Sequence, residues 1–380
     1  MKMTSREFQI FVKPVGPICN LSCRYCYYLG KKSLFPGTEN FLMEDDILEK
    51  YVIQHIEAST DNIINFSWHG GEPLLTGIDF FRKAVTLQKK HKPAGSTIVN
   101  GIQTNGTLLD DEWCSFLATE GFIVGISIDG PGDLHNNNRR SRENNNTFLN
   151  VIRGYELLQM YGVLPEILCV VNADNVKHPL IVYDFFKQLG PEYISFLPLV
   201  EPETGRPTGA SINSVPSREF GVFLSAIFDE WVEKDIGKIK IQIFEEAART
   251  AFNQEHTLCI FRQNCGGVPV VEHNGDFYSC DHYVDGDHLV GNIKKGSVAS
   301  FLDSEKQQAF GRAKSLLLPR YCLECEVKPM CNGECPKNRF ISTPDGEPGL
   351  NYLCQGYKLF FNHCRPFIEA ISEAWKSHGL

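Results

Sequence analysis

Cys19-Asn20-Leu21-Ser22-Cys23-Arg24-Tyr25-Cys26 is the stretch on which the reading of the fold turns. It sets three cysteines in a C-x3-C-x2-C run directly after a short apolar segment, residues 8–13, that reads as a strand. A loop at the carboxyl end of a strand is where α/β folds carry their chemistry. Three thiolates this close can hold three irons of a 4Fe–4S cluster and leave the fourth iron open to an external chelating ligand. Structural zinc normally takes four ligands, and no fourth Cys or His lies nearby in the sequence.

Working outward, five more short apolar or β-branched runs follow, at residues 63–68, 97–103, 122–128, 166–171 and 193–199. Helical patterns lie between them at 44–57, 79–91, 110–119, 147–161 and 178–189. Strands alternating with helices imply a parallel sheet with right-handed crossovers. Six strands are too few for a closed eight-stranded barrel, so a partial barrel or an open doubly wound sheet is expected. A Pro-, Gly- and Ser-rich loop at 201–217 leads to two further helices, 218–234 and 243–253. From Thr257 onward the texture changes to short strands, turns and the last nine cysteines. A boundary near residue 235 divides the chain into domains 1–235 and 236–380.

The bulk numbers exclude several classes. Of 380 residues, 42% are hydrophobic and 22% charged, ordinary values for a globular chain. A net charge of −9 with no Lys/Arg run argues against nucleic acid as partner. No apolar stretch suits a membrane span, and the polar start Met1-Lys2-Met3-Thr4 is unlike an export signal. The expected compartment is the cytoplasm, where fourteen cysteines would stay reduced and point to metal rather than to disulfides.

Eight of the late cysteines are spaced for ligation: Cys259-x5-Cys265, then Cys280, then Cys322-x2-Cys325-x5-Cys331-x3-Cys335 and Cys354. Eight thiolates make two four-ligand sites, and either zinc or iron–sulfur clusters satisfy that count. Cys114, Cys169 and Cys364 lie in apolar contexts and read as inert core thiols.

The C-x3-C-x2-C run, with Tyr25 before its last cysteine, resembles the signature of the radical S-adenosylmethionine superfamily. That resemblance implies a partial (β/α)6 barrel and several cofactor contacts. Gly70-Gly71-Glu72-Pro73, after the second strand, looks like the segment whose backbone receives the methionine amino group. Gln103 ends the third strand on the presumed cofactor side, and Ser127 and Arg139 resemble holders of the cofactor's ribose and carboxylate. The late cysteines are similar to the SPASM extension with two auxiliary 4Fe–4S clusters. By that match Cys259, Cys265, Cys280 and Cys335 hold one, and Cys322, Cys325, Cys331 and Cys354 the other. The cofactor expectation is therefore three 4Fe–4S clusters and S-adenosyl-L-methionine.

Asp276-Phe-Tyr-Ser-Cys280-Asp281-His282-Tyr283-Val284, with Leu289-Val-Gly-Asn292-Ile293, narrows the likeness further, as do Lys13-Pro14 and Asp129-Gly130-Pro131. Together these resemble the anaerobic sulfatase-maturating enzymes, which oxidise an active-site Cys or Ser of a sulfatase to Cα-formylglycine. The resemblance implies an unfolded or nascent sulfatase polypeptide as partner and a reductant such as flavodoxin or ferredoxin. Asp281, next to Cys280, matches the family's base by position, as the chemistry requires at the substrate hydroxyl or thiol. An alternative is another SPASM-type radical enzyme that crosslinks peptides through thioether or carbon–carbon bonds. His69 and Tyr28 have two readings each, site lining or plain packing, which the sequence leaves open.

Overall fold

The computed structural model describes Thr4, residues 7–203 and residues 209–377. The central part of the expected loop at 201–217, residues 204–208, lies outside the described residues. Ten strands organise the molecule: β1 (Phe11–Lys13), β2 (Ile63–Trp68), β3 (Thr97–Thr104), β4 (Ile123–Ser127), β5 (Glu166–Val171), β6 (Tyr193–Pro198), β7 (Lys240–Ile241), β8 (Val270–Glu272), β9 (Asp276–Tyr278) and β10 (Leu289–Asn292). Two compact units divide the chain, the first comprising 1–127, 136–165 and 266–311, the second 128–135, 166–265 and 312–380.

In the first unit β1, β2, β3 and β4 lie side by side and parallel, with Phe11 opposite Ser67 and Gln103 opposite Gly125. Their inward side chains, Val12, Phe66, Trp68, Ile102, Val124 and Ile126, are almost wholly buried. Helices Asp45–Ala58, Ile78–His91, Asp111–Thr119 and Phe148–Met160 accompany them. The third of these starts where Asp110 accepts the backbone N–H of Trp113 at 2.9 Å, an N-cap that satisfies a donor the helix itself leaves over. β1 is shorter than the expected 8–13, although Gln9 and Phe11 already donate their N–H groups to Gly267 and Pro269, ahead of β8.

That edge has a consequence for the site. β8 runs parallel to β1 with Lys13 opposite Glu272, and β9 and β10 continue the sheet antiparallel. A hairpin from residues 270–292 therefore covers the free edge of β1.

In the second unit β5, β6 and β7 are parallel, with Ile167 opposite Ile194 and Tyr193 opposite Lys240. Helices Pro179–Leu189, Ser217–Lys234 and Gln242–Ala251 follow their sequence periodicity closely. The expected short strands and turns beyond Thr257 are present in β8–β10 and in the paired segments Ile341–Ser342 and Pro348–Leu350, but Cys354–Ser377 is one helix of 24 residues. Its cysteine and its interior Pro366 disguise an apolar stripe of Tyr357, Phe360, Phe361, Cys364 and Ile368. That helix packs on Ser217–Lys234 at a glycine crossing, where a Cβ on Gly356 would stand 2.0 Å from the Ser217 carbonyl oxygen. No described helix is long and apolar enough to cross a membrane.

Candidate active site

The cysteine loop begins six residues after β1 and is braced by residues 138–141. Ser22 and Arg24 donate their N–H groups to the carbonyls of Arg140 and Asn138 at 2.8 and 2.9 Å. Cys19 Sγ accepts the Leu21 N–H at 3.3 Å and a longer contact, 3.7 Å, from the Asn105 amide. Asn105 also donates to Asn20, whose amide donates to Thr107, so a polar network fixes this end of the loop. Burial, then Glu72, pushes the Cys19 thiol up to about 12, with Cys23 and Cys26 adding to the effect. A thiol in that state is protonated, and ligation to iron is what would displace its proton. Among the described residues no three Cys, His, Asp or Glu side chains converge on a single-ion site. Three thiols of one loop, two N–H groups aimed at sulfur and an adjoining glycine cradle suit an iron–sulfur cluster.

The cradle is Gly70-Gly71. Gly70 has φ +127°, and a Cβ on Gly71 would lie 1.9 Å from the Ile18 carbonyl oxygen, so the turn after β2 presses directly on the cysteine loop. Glu72 is 1% exposed, and its carboxylate accepts Leu74 N–H, Thr104 hydroxyl and Asn105 N–H at 3.2, 2.7 and 2.8 Å. Burial raises it to about 7, against those hydrogen bonds and Arg139. Its oxygens are thus committed to the ends of β2 and β3. The Gln103 amide donates to Ser127 at 3.1 Å across β3 and β4. Arg139 is buried and donates to the Tyr25 hydroxyl at 2.9 Å, tying it to the aromatic of the cysteine run.

Asp281 follows the β8–β9 hairpin and meets the carboxyl end of β1. Its Oδ1 pairs with Lys13 Nζ at 2.5 Å, and its Oδ2 accepts the Tyr27 hydroxyl. Burial opposes the charge, but Lys13, His282 and the hydrogen bonds of Lys13 and Tyr27 outweigh it and hold the carboxyl well below the usual range. Lys13 is 2% exposed, its ammonium 4.3 Å from the centre of the Tyr28 ring. Tyr28 is buried with Val270, Tyr278 and Val284, its hydroxyl bonded to Glu272, while Tyr27 remains 41% exposed. His69 stacks on Phe11 at 4.0 Å, and burial, aided by Lys13, lowers it to about 3, so its ring is neutral. Tyr27 and Glu272 escaped the sequence reading, and Lys13 entered it only as part of the family likeness, not as a site residue. A lysine inside an otherwise apolar strand was the one available signal.

Cys280 belongs to the first unit, and the other seven late cysteines to the second. Within the second, Cys335 lies in electrostatic reach of Cys265 and Cys259. Cys331 has Cys354 and Cys322 as neighbours, and Cys354 has Cys322 and Cys325. Burial raises all seven thiols. Cys114, Cys169 and Cys364 are fully buried.

A three-cysteine loop at the carboxyl end of a parallel sheet, pressed by a glycine cradle, defines a radical S-adenosylmethionine enzyme. Residues 14–177 match the radical SAM superfamily and residues 259–326 an iron–sulfur cluster-binding domain. The chain is 42% identical to a serine-type anaerobic sulfatase-maturating enzyme of Bacteroides thetaiotaomicron, over 97% of this chain and 92% of that one. It is 32% identical to a cysteine-type enzyme of Clostridium perfringens, over 96% and 98%. The solved structure of native anSMEcpe with bound AdoMet and Cp18Cys peptide superposes with a TM-score of 0.87 at 32% identity, covering 97% of this chain and 99% of that one.

The chain belongs to the anaerobic sulfatase-maturating enzymes. It is a radical S-adenosylmethionine enzyme that converts a sulfatase Cys or Ser to Cα-formylglycine, built as a partial (β/α)6 barrel with a SPASM domain and using iron–sulfur clusters. Likeness along the whole chain favours this activity over peptide crosslinking.

Proposed function

We propose that Asp281 is the base that takes the proton from the substrate hydroxyl or thiol during formylglycine formation. The observation that carries this is its carboxylate, kept ionised by Lys13 and Tyr27 beside Cys280. S-adenosylmethionine, held with a cluster on Cys19, Cys23 and Cys26, would supply the radical chemistry at the substrate Cβ. The protein's task is then to align that carbon, exclude water and accept the proton.

In this reading Cys19, Cys23 and Cys26 hold the cluster that meets the cofactor. Gly70 and Gly71 would offer backbone to its methionine end, Ser127 and Arg139 would hold its ribose and carboxylate, and Gln103 ends β3 on the same side. Glu72 acts by holding the cradle, since its oxygens bond Leu74, Thr104 and Asn105. The grouping of Cys259, Cys265 and Cys335, and separately of Cys322, Cys325, Cys331 and Cys354, supports two auxiliary clusters beside the first. Residues 1–235 form the radical module, and 236–380 the auxiliary one. The substrate is an unfolded or nascent sulfatase polypeptide, met in the cytoplasm, and a flavodoxin- or ferredoxin-class protein is the reductant.

Anaerobic incubation with sulfatase-derived peptides carrying Ser or Cys at the target position tests this reading. Mass spectrometry should find the aldehyde, with one 5′-deoxyadenosine formed per conversion. Alanine at Cys19, Cys23 and Cys26 together should abolish both products. Continued 5′-deoxyadenosine formation in that variant would overturn the cluster assignment.

A further inference from the structure

Lys314 is 1% exposed; burial works against its charge, and Cys265, Cys259 and Cys335 work to keep it. Its Nζ donates to the backbone carbonyls of Cys259 and Ile260 at 2.9 and 2.7 Å. Among the described residues no carboxylate is in ion-pair contact with it. The ionisable groups that act most strongly on it are Cys265, Cys259 and Cys335, followed by Glu334. Glu334 is itself buried and spends its carboxylate on Asn338 and Asn351. A buried cation that meets only carbonyls is costly unless an anion stands close. Three ligating thiolates around a cluster provide one.

The first cysteine loop has the opposite surroundings, for the charged neighbour that acts most strongly on Cys19 is the carboxylate of Glu72. Nearby charge and hydrogen bonding are among the levers that set the potential of an iron–sulfur cluster. A fixed positive charge favours the reduced form, which carries one more electron.

We infer that the Lys314 ammonium raises the reduction potential of the cluster to which Cys259, Cys265 and Cys335 contribute, and so equips it as the electron acceptor in peptide oxidation. This rests on the reading that those cysteines hold an auxiliary cluster. Lys314 acts through the cluster and is a positioning residue for charge. Arg339 is a second buried cation: its guanidinium donates to the carbonyls of Gly333, Lys314, Asn332 and Glu334, and its charge acts on Cys322 as well as Cys265, so it is shared between the two groups of cysteines.

The test is an anaerobic redox titration of the holoenzyme, followed by electron paramagnetic resonance, on wild type, Lys314→Gln and Lys314→Arg. Gln keeps N–H donors for the two carbonyls and removes the charge; Arg keeps the charge. One auxiliary midpoint should fall in Lys314→Gln while the other two clusters keep theirs, and Lys314→Arg should stay near wild type. Unchanged midpoints in a fully loaded Lys314→Gln would overturn the inference. If the Gln variant does not load its iron, Lys314→Met, which also removes the charge, is titrated in its place. A lowered midpoint there supports the charge effect, and an unchanged one overturns it. Iron and sulfide analysis of the wild type tests the underlying cluster reading separately. A missing auxiliary cluster there would sink both readings before any substitution is made.

Discussion

Lys13 and Asp281, 268 positions apart in sequence, form a 2.5 Å ion pair at the carboxyl end of β1. The pair exists because β8 takes the free edge of β1 and brings the Cys280-Asp281 turn to the lysine. Neither charge is tolerable in so buried a place without the other.

Asp281→Asn should separate the two halves of the reaction. It keeps the size of the side chain and removes the base. Peptide oxidation should fall by about 10²–10⁴-fold, the usual range for a positioned general base, while 5′-deoxyadenosine still forms. Product ratios by liquid chromatography and mass spectrometry check this, and full oxidation by the variant would remove Asp281 as base.

Lys13→Met should be worse for the fold than for cofactor cleavage. It leaves the carboxylate of Asp281 without its cation, and breaking a buried pair typically costs about 3–5 kcal/mol. Chemical denaturation should register that loss. Lys13→Met combined with Asp281→Leu, which removes both charges, should recover much of it.

Much of this was legible from sequence, and the exceptions have physical causes. β1 to β6 announced themselves as apolar runs because a parallel sheet buries both faces. The first cysteine run pointed to its chemistry by spacing, whereas for the eight late cysteines spacing left zinc and iron–sulfur open and the family resemblance decided. The Lys13–Asp281 pair gave no such sign, since it depends on one hairpin joining one edge, a long-range register that local pattern does not encode. Tyr27 and Tyr28 are adjacent and alike, yet one reaches Asp281 and the other packs under Lys13. Only the backbone path after Cys26 distinguishes them. The terminal helix hid behind Pro366 and its cysteines.

Glu72 makes stability depend on pH. Its folded value is raised by burial to about 7, above the ordinary carboxylate value. Its contribution is therefore fully present at acid pH and is lost as pH rises through about 7, by up to roughly 3 kcal/mol. Glu72→Gln should flatten the profile between the ordinary carboxylate value and about pH 7. It should also lower stability at pH 5.5 by about 1–3 kcal/mol, because an amide N–H would face the N–H of Asn105 or the groups at Leu74 and Thr104. Thermal unfolding across pH reads both effects.

Gly356→Ala tests the helix crossing in the second unit. The added methyl would meet the Ser217 carbonyl at 2.0 Å, and backbone cannot yield as a flexible side chain can. A loss of about 1–3 kcal/mol or more is expected from such overpacking. Gly30→Ala, where a Cβ meets nothing within 4 Å, is the control that should stay close to wild type.

The covered edge of β1 also sets a timetable for biogenesis. At about 5–20 residues per second, residue 281 leaves the ribosome roughly 13–54 s after residue 13. Throughout that interval the β1 edge is bare and Lys13 lacks its counter-ion, an opening for unwanted strand pairing. A chain cut short before the hairpin would still carry the cysteine loop but would lack Asp281, the base proposed above. Late arrival of one strand thus makes oxidase competence a property of the finished chain alone.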